Sequence, residues 1–309
     1  MSEHAKVLSV HSVQKDLSAF ARVVSWRDYL ELTKPKVVAL MILTSVIGML
    51  LAAPGVPHWE ILLFGNLGIA LLAGSAAVIN HIVDQKIDTV MARTRKRPVA
   101  TGKISPFEAI LFAGALACAG MAVLMLMVNH LTAWLTLASL VGYAGVYTLF
   151  LKRATPQNIT IGGLAGAMPP LLGWTAVTGQ IDGHALLLVL IIFAWTPPHF
   201  WALAIHRKEE YAKAGIPMLP VTHGNRYTEL HILLYTLMLL AVSLLPFVTG
   251  MSGGIYLIGA LALGLRFVQY AVRLLRGDDR RVALNTFKYS ITYLMALFVV
   301  LLVDHFVFF

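Results

Sequence analysis

Long apolar segments constrain the fold of this chain more than any other feature of its sequence. Each has the roughly 17 to 25 residues that a helix needs to cross the hydrocarbon core of a bilayer. With 58% hydrophobic and 13% charged residues, the 309-residue chain lacks the polar surface of a water-soluble globule. We therefore predict an all-α, polytopic membrane protein, a bundle of nine transmembrane helices. The nine predicted helices are 37–53, 61–83, 107–128, 132–151, 159–177, 184–205, 230–249, 255–272 and 287–309.

A polar leader, residues 1–35, precedes the first apolar segment. Residues 13–32 within it are amphipathic, which is typical of a segment that lies on the membrane surface. The leader has no apolar core followed by a small-residue cleavage site, so the sequence does not predict a removable signal peptide. Because no linker rich in Gly, Ser or Pro interrupts residues 36–309, we predict a single transmembrane domain there.

The loops between the apolar segments alternate in charge. Loops that contain Lys and Arg tend to stay on the cytoplasmic side of a membrane. We therefore predict a multi-pass protein of the cell (inner) membrane, with a cytoplasmic N-terminus and a C-terminus on the outer side. The loops that contain Lys and Arg are 84–106, 152–158, 206–226 and 273–284, and the leader contains these residues as well.

The net charge of +9 narrows the classes of partner. The basic residues are dispersed among apolar segments and form no continuous stripe, so nucleic acid is not an expected partner. Basic loops on one face of a membrane protein instead favour the anionic headgroups of the lipid bilayer and a phosphorylated substrate.

The densest group of ligand-type residues follows the second apolar segment. If the helix continues, Asn80, Asp84 and Asp88 lie at i, i+4 and i+8 on one face. Two carboxylates and an amide oxygen suit Mg²⁺, which completes its coordination shell with water and substrate phosphate. The alternative is a solvated loop whose charges only mark the end of a helix. Three downstream cations can bind the remaining phosphate oxygens, namely Arg93, Arg97 and Lys103.

A second basic loop lies on the same predicted side. Lys152 and Arg153 are placed to neutralise a departing diphosphate, and Tyr147 lies about one turn deeper in the membrane. The alternative is that both cations are ordinary positive-inside anchors.

A third polar stretch ends the sixth apolar segment. His199 and His206 are seven residues apart on one predicted helix face, and a histidine within a membrane helix is a functional candidate by default. The alternative for each is a structural histidine with satisfied hydrogen bonds. Beyond them, Glu209 and Glu210 can hold a second cation opposite the first acidic group, or pair with Arg207 or Lys213.

These stretches together resemble a known family. Asn80, Asp84 and Asp88, followed by residues 91–98, resemble the first acidic motif of the UbiA-type intramembrane prenyltransferases. Residues 196–201 and 214–220 resemble, more narrowly, the branch of that superfamily that farnesylates haem. One departure is that Glu209 and Glu210 stand where relatives carry Asp, which leaves open which of the two reaches a metal.

The resemblance implies a reaction and a role for each residue. Farnesyl diphosphate would donate farnesyl to a vinyl group of haem B, with addition of water, in a cytoplasm-facing active-site cavity, giving haem O and diphosphate. Haem A synthase or an oxidase-assembly protein would be a partner. The implied catalytic residues are Asn80, Asp84, Asp88, Tyr147 and Lys152. Mg²⁺ would be held by Asn80, Asp84, Asp88 and Glu210. Diphosphate would be bound by Arg93, Arg97, Lys103, Lys152 and Arg153. The haem and second-motif residues would be His199, His206, Arg207, Glu209 and Glu210.

Two alternative functions remain open at the level of sequence. The first acidic motif also permits a prenyltransferase that acts on an aromatic acid or a quinone precursor. A different class, a haem-binding or transport membrane protein without catalytic activity, would not need the carboxylates of the first motif. A transporter would spread its polar residues through the depth of several helices. The ionisable residues of this chain instead crowd one surface.

Overall fold

A computed structural model describes residues 24–277 and 280–308 of the chain, without the side chains of Arg153 and Arg280. Most of the predicted leader therefore lies outside the described residues. The described part is helical and contains no β-strand, which confirms the all-α prediction. Its helices are α1 (Trp26–Leu32), α2 (Pro35–Leu51), α3 (Trp59–Val83), α4 (Gln85–Val90), α5 (Pro106–Met127), α6 (His130–Val141), a π-helix (Gly142–Leu151), α7 (Lys152–Ala154), α8 (Asn158–Ala167), α9 (Pro169–Thr178), α10 (Gly183–His206), α11 (Lys208–Lys213), α12 (Leu219–Thr222), α13 (Gly224–Val248), α14 (Gly254–Arg276) and α15 (Arg280–Phe308).

Capping residues explain where several of these helices begin. Ser105 caps α5, since its hydroxyl accepts the Glu108 N–H at 3.2 Å while the Glu108 carboxylate accepts the Ser105 N–H at 2.8 Å. The same reciprocal pair, made by Ser25 and Asp28, starts α1. A capping box satisfies two backbone donors that the first turn of a helix leaves unpaired. The helix starts are thus determined by local sequence.

Seven or eight candidate membrane spans occur within the described residues, and the predicted count of nine is not confirmed. Seven single helices are long and apolar enough to cross a bilayer, and α1 with α2, bent by 55°, forms an eighth candidate. The predicted span 159–177 is divided into α8 and α9, of ten residues each. Pro169 and Pro170 cannot donate backbone hydrogen bonds to the preceding turn, which explains the break at Met168. These apolar helices indicate a multi-pass membrane protein.

Helix α10 lies at the centre of the bundle. In the most apolar stretch of α10, 67% of the residues are buried within the protein. The corresponding share for the peripheral α5 is 17%. It packs against α8, α13 and α15, while α2 packs against α9 and α15 and so closes the bundle. The α2–α9 approach depends on glycine, because a Cβ at Gly173 would lie 2.0 Å from the Ser45 carbonyl oxygen.

An apolar cluster holds two polar loops together on one face of the bundle. Met91, from the loop after α4, packs with Ile216 and Met218, from the loop after α11. All three side chains are buried. Two loops separated by more than a hundred residues of sequence therefore meet at the ends of α4 and α11, where the site described next is built.

Candidate active site

The site is built first on the junction of α3 and α4. The Asp84 N–H donates to the Asn80 carbonyl at 3.0 Å and the Asp88 N–H to the Asp84 carbonyl at 2.8 Å, so helical spacing continues through the junction. The three side chains share one face and are buried, with 4%, 2% and 3% exposure for Asn80, Asp84 and Asp88. Burial of two carboxylates without compensation would be very costly, so positive charge is required nearby.

A cation of the chain contacts each of these three side chains, and we call the six residues the charged cluster. Lys34 donates to the amide oxygen of Asn80, and Lys152 forms an ion pair with Asp84. The Arg97 Nη1 atom lies 2.9 Å and 2.7 Å from the two carboxylate oxygens of Asp88. The three cations come from three separate parts of the chain, and they compensate the buried carboxylates.

The π-helix places aromatic side chains beside the charged cluster. Its hydrogen bonds join residues five apart, and the Lys152 N–H accordingly bonds to the Tyr147 carbonyl. Thr148 is fully buried, and its hydroxyl lies 3.5 Å from the Asn80 amide nitrogen. The Tyr147 ring covers Gly162 of α8, where a Cβ would lie 2.0 Å from the ring. A π-helical segment at such a position is frequent at functional sites.

Positive charge extends from the charged cluster toward the loop after α10. Burial lowers the pKa of Arg93 below its ordinary value, and the neighbouring cations Arg97 and Arg207 lower it further. Burial raises the pKa of Tyr211, against the opposing effect of Arg93 and Arg207. The charges of Arg97 and Arg207 are thus close enough to Arg93 to repel it, and a bound anion would relieve that repulsion.

A second arrangement surrounds His199 on α10, and we call it the aromatic pocket. The His199 ring stacks between Trp195, with centroids 4.1 Å apart, and Phe287 of α15, 4.6 Å away. Its Nδ1 atom lies 2.7 Å from the Ser290 hydroxyl oxygen. That hydroxyl donates its only proton to the Phe287 carbonyl at 2.6 Å, so the His199 Nδ1–H must donate to Ser290. The neutral ring then carries its lone pair on Nε2.

Comparison with known proteins places these features in a family. A profile described as the UbiA prenyltransferase family matches residues 41–301, which is most of the chain. The chain belongs to the UbiA prenyltransferase family. The protoheme IX farnesyltransferase of Marinobacter nauticus is 90% identical over 288 residues, which are 93% of this chain and 95% of that protein. The protoheme IX farnesyltransferase of Hahella chejuensis is 68% identical over 293 residues, 95% of this chain and 98% of that protein.

Two solved structures share the fold of this UbiA family member. A digeranylgeranylglyceryl phosphate synthase matches with a TM-score of 0.78 at 20% identity, over 91% of this chain and 98% of that chain. A UbiA homologue from Archaeoglobus fulgidus, bound to GPP and Mg²⁺, matches with a TM-score of 0.61 at 16% identity, over 89% and 99% of the two chains. At these identities the matches show the fold alone.

The remaining predicted residues of this UbiA protein lie in different surroundings. Lys103 forms an ion pair with Asp28 of α1 at 2.7 Å, so the structure does not bring its ammonium onto the charged cluster. The side chain of Arg153 lies outside the described residues. His206 has a buried Nδ1 atom with no hydrogen-bond partner among the described residues.

The structure distinguishes the two glutamates of the second polar stretch. Glu209 is exposed on α11. Glu210 is part-buried, and its Oε2 atom is buried without a hydrogen-bond partner among the residues described. A buried carboxylate oxygen without a donor is a natural place for a cation, so Glu210 is the better candidate for the second metal.

Lys34 and His81 are among the residues of the site that sequence reasoning missed. Lys34 sits at the end of the leader, and no local pattern connects it to Asn80, which lies 46 residues away. His81 follows Asn80 directly and is 2% exposed, and neither of its ring nitrogens has a hydrogen-bond partner among the described residues. Its position beside Asn80, within an apolar run, is the signal that would have found it.

The donor atoms at the charged cluster fit a magnesium ion that is shared with a substrate. No group of three His, Cys, Asp or Glu side chains within 24–277 and 280–308 is close enough to hold a metal by itself. Mg²⁺ needs no such group, because it usually takes one or two protein carboxylates and completes its shell with water and phosphate. The Oδ1 atom of Asp84 is buried and has no donor in the described structure, so it remains available to a cation.

Proposed function

We propose that this UbiA family member transfers the farnesyl group of farnesyl diphosphate to a vinyl group of haem B, giving haem O and diphosphate. The relatives named protoheme IX farnesyltransferase, 90% and 68% identical over more than nine-tenths of the chain, support the substrate pair. The observation that carries the reaction type is the charged cluster, where buried carboxylates and partly buried cations adjoin an aromatic, apolar interior.

The donor half of the reaction is assigned to the charged cluster. Arg93, Arg97 and Lys152, with Arg153, would bind the diphosphate, and the carboxylates of Asp84 and Asp88 would hold Mg²⁺ with the Asn80 amide. Bound Mg²⁺ supplies Lewis-acid charge that stabilises the leaving diphosphate. The bond between C1 of farnesyl and the diphosphate oxygen breaks, and the electron pair leaves with the diphosphate. The cationic side chains stabilise that charge as it develops.

The allylic cation that remains needs an environment without water. Tyr143 and Tyr147 of the π-helix have ring centroids 5.5 Å apart beside the charged cluster. Their ring faces stabilise a carbocation by cation–π attraction, and the apolar helices around them exclude water that would otherwise form farnesol. The vinyl carbon of haem then attacks C1 of farnesyl. Water adds to the cation formed beside the porphyrin and loses a proton to solvent.

The acceptor half is assigned to the aromatic pocket. The Nε2 lone pair of His199 is suited to the haem iron, since neutral imidazole is a common axial ligand. His206 and Arg207, at the cytoplasmic end of α10, are suited to the haem propionates. This assignment rests on the contacts of His199 with α15 and on the position of α10 at the centre of the bundle.

The remaining predictions belong to the same proposal. The nine-helix count, a cytoplasmic N-terminus, an outer C-terminus and a location in the inner membrane rest on the charge alternation of the loops. A second metal on Glu210 rests on its unpartnered carboxylate oxygen. Haem A synthase or an oxidase-assembly protein remains the predicted partner.

Mass spectrometry of haems tests the proposal. Membranes from cells that express the chain should contain haem B and a farnesylated, hydrated product, and purified protein should form that product from farnesyl diphosphate and haem B. Unchanged haem B would contradict the proposal. Prenylation of 4-hydroxybenzoate in the same assay would favour the aromatic-acid alternative, whereas haem binding without product would favour a non-catalytic haem-binding protein.

A further inference from the structure

Lys34 occupies an unusual backbone position between α1 and α2. Its φ and ψ are 52° and 60°, and it is the one non-glycine among the described residues with a left-handed φ. Glycine or asparagine normally takes this conformation after a helix, because a Cβ with a long side chain is strained there. Pro35 contributes by disfavouring the right-handed helical region for the residue before it. A lysine is therefore an unfavourable residue at this place by its backbone alone, and the contacts of its side chain are what distinguish it from glycine.

The side chain of Lys34 reaches the charged cluster. Its ammonium donates to the Oδ1 atom of Asn80, while the Asn80 amide nitrogen donates to Asp84 at 2.9 Å. Oδ1 is the only atom of the Asn80 side chain that can bind a metal, since the amide nitrogen has no lone pair to offer. Lys34 therefore competes directly with a metal for the first residue of the acidic motif.

The charges of the cluster do not favour a metal alone. Three cations, Lys34, Lys152 and Arg97, face two carboxylates, so the cluster already has an excess of positive charge. A divalent cation added by itself increases that excess. A metal that arrives with a diphosphate does not, because the diphosphate brings more negative charge than the metal brings positive charge, and the displaced cations gain phosphate oxygens as partners.

We propose that Lys34 is an exchangeable counter-ion, which leaves Asn80 for the diphosphate when metal and diphosphate bind together. The proposal rests on the diphosphate site of the proposed function and adds to it a residue and a binding order. The metal enters with the diphosphate or after it, since the metal alone meets an excess of positive charge. The bend at Lys34 places its ammonium on the Asn80 oxygen.

Binding measurements on the purified full-length protein in detergent test this proposal without haem. Binding of Mn²⁺ alone is followed by the EPR signal of the free ion, and binding of radiolabelled inorganic pyrophosphate by equilibrium dialysis, with Mn²⁺ or with EDTA. For Lys34→Met we expect about tenfold tighter binding of Mn²⁺ alone, because a competing cation is removed. We expect about tenfold weaker binding of manganese pyrophosphate, because a phosphate contact is lost.

Two opposite changes in one variant distinguish exchange from a structural role. If Lys34 only stabilises a buried amide, Lys34→Met weakens both kinds of binding together or changes neither, and either result would overturn the proposal. Lys36→Met is the matched control, since Lys36 is exposed two residues along α2 and should leave both affinities unchanged. Lys34→Arg keeps the charge and should restore most of the manganese pyrophosphate binding.

A third variant keeps the test decisive if Lys34→Met folds poorly. Lys34→Gly removes the amine and also relieves the left-handed backbone, so the protein should remain folded, as judged by thermal unfolding in detergent. It should reproduce the opposite changes in Mn²⁺ and manganese pyrophosphate binding. If the protein does not farnesylate haem but the Lys34 variants still show the two opposite affinity changes, only haem as the acceptor would be rejected. Normal haem farnesylation with no effect of Lys34→Gly on either affinity would reject only the exchange.

Discussion

The charged cluster and the aromatic pocket solve the same problem, that of a polar group within a membrane protein, in opposite ways. In the charged cluster, each of Asn80, Asp84 and Asp88 is compensated by a cation from another part of the chain. In the aromatic pocket, His199 remains neutral between two stacked rings and bonds to one serine.

This difference determines which partners a bound ligand can replace in each region. Ion pairs of partly buried side chains are held by charge, and another ion of suitable charge can replace one partner. A stacked neutral ring is held by dispersion and packing over its whole surface, so it keeps its position when a ligand arrives. The charged cluster is therefore suited to ionic donors, and the aromatic pocket to a rigid contact with a flat, largely apolar acceptor.

Removal of a carboxylate from the charged cluster should have the largest effect. For Asp84→Ala we expect haem farnesylation to fall by about a thousandfold, because the metal loses a ligand and Lys152 loses its counter-ion. The initial rate of product formation measures this. Binding of haem, followed by its Soret absorbance, should be unchanged if the two regions act independently.

Glu60→Gln is the matched control for Asp84→Ala. Glu60 is exposed at the opposite end of the same helix, α3. Its neutralisation should leave both the rate and the Soret titration at wild-type values. A normal rate for Asp84→Ala would contradict the role given to the charged cluster.

Removal of the His199 imidazole should have the opposite result to Asp84→Ala, with haem binding weakened and the diphosphate site unaffected. For His199→Ala we expect haem affinity to weaken by about a hundredfold, with a change in the Soret band that reports loss of an iron ligand. Binding of manganese pyrophosphate should stay at the wild-type value. If the Soret titration is unchanged, His199 is a structural histidine and the haem lies elsewhere.

A methyl group at Gly162 tests whether Tyr147 belongs functionally to the charged cluster. The Cβ of Gly162→Ala would lie 2.0 Å from the Tyr147 ring, which must move. We expect kcat to fall by about tenfold, with farnesol as a larger share of the product, because the allylic cation loses an aligned ring and gains access to water.

Gly166→Ala is the control for overpacking at Gly162. Gly166 lies one turn further along the same helix, α8, and a Cβ there meets no atom within 4 Å. This variant should keep the wild-type rate and product ratio. Equal losses in both variants would mean that α8 tolerates no alanine, and the effect of Gly162→Ala would then say nothing about Tyr147.

The sequence alone predicts those parts of both regions that depend on local spacing. Asn80, Asp84 and Asp88 share a face because four residues make about one helical turn, and the backbone hydrogen bonds of the α3–α4 junction preserve that spacing. The helical class follows equally directly from the long apolar segments. Identification of His199 and Glu210 as candidates needed only their position in an apolar or acidic run.

Contacts between distant segments were beyond the reach of the sequence. Ser290 lies 91 residues from His199, and no periodic pattern connects them. The π-helix changes the register so that Tyr147 and Lys152 are joined by a backbone hydrogen bond, which an assumed α-helix does not predict. The division of span 159–177 at Met168 was visible in Pro169 and Pro170, but proline also occurs inside the continuous helix α10, so the signal was ambiguous.

The smallest predicted effect concerns the hydrogen bond that orients His199. Ser290→Ala removes the acceptor of the Nδ1 proton but keeps the imidazole and both stacked rings, so the ring can place its proton on either nitrogen. We expect haem affinity to weaken by about threefold to tenfold, the usual contribution of one hydrogen bond. The Soret band should keep the position of a histidine ligand, in contrast to His199→Ala.

Ser290→Thr completes the argument, because threonine restores a hydroxyl at the same position of α15. Recovery of haem affinity with Ser290→Thr, together with loss in Ser290→Ala, would assign the effect to the hydrogen bond and not to the volume of the side chain. If Ser290→Ala binds haem as the wild type does, stacking by Trp195 and Phe287 alone orients the ring. In that case packing alone, without the hydrogen bond, would hold His199 in the aromatic pocket, whereas the charged cluster is held by charge.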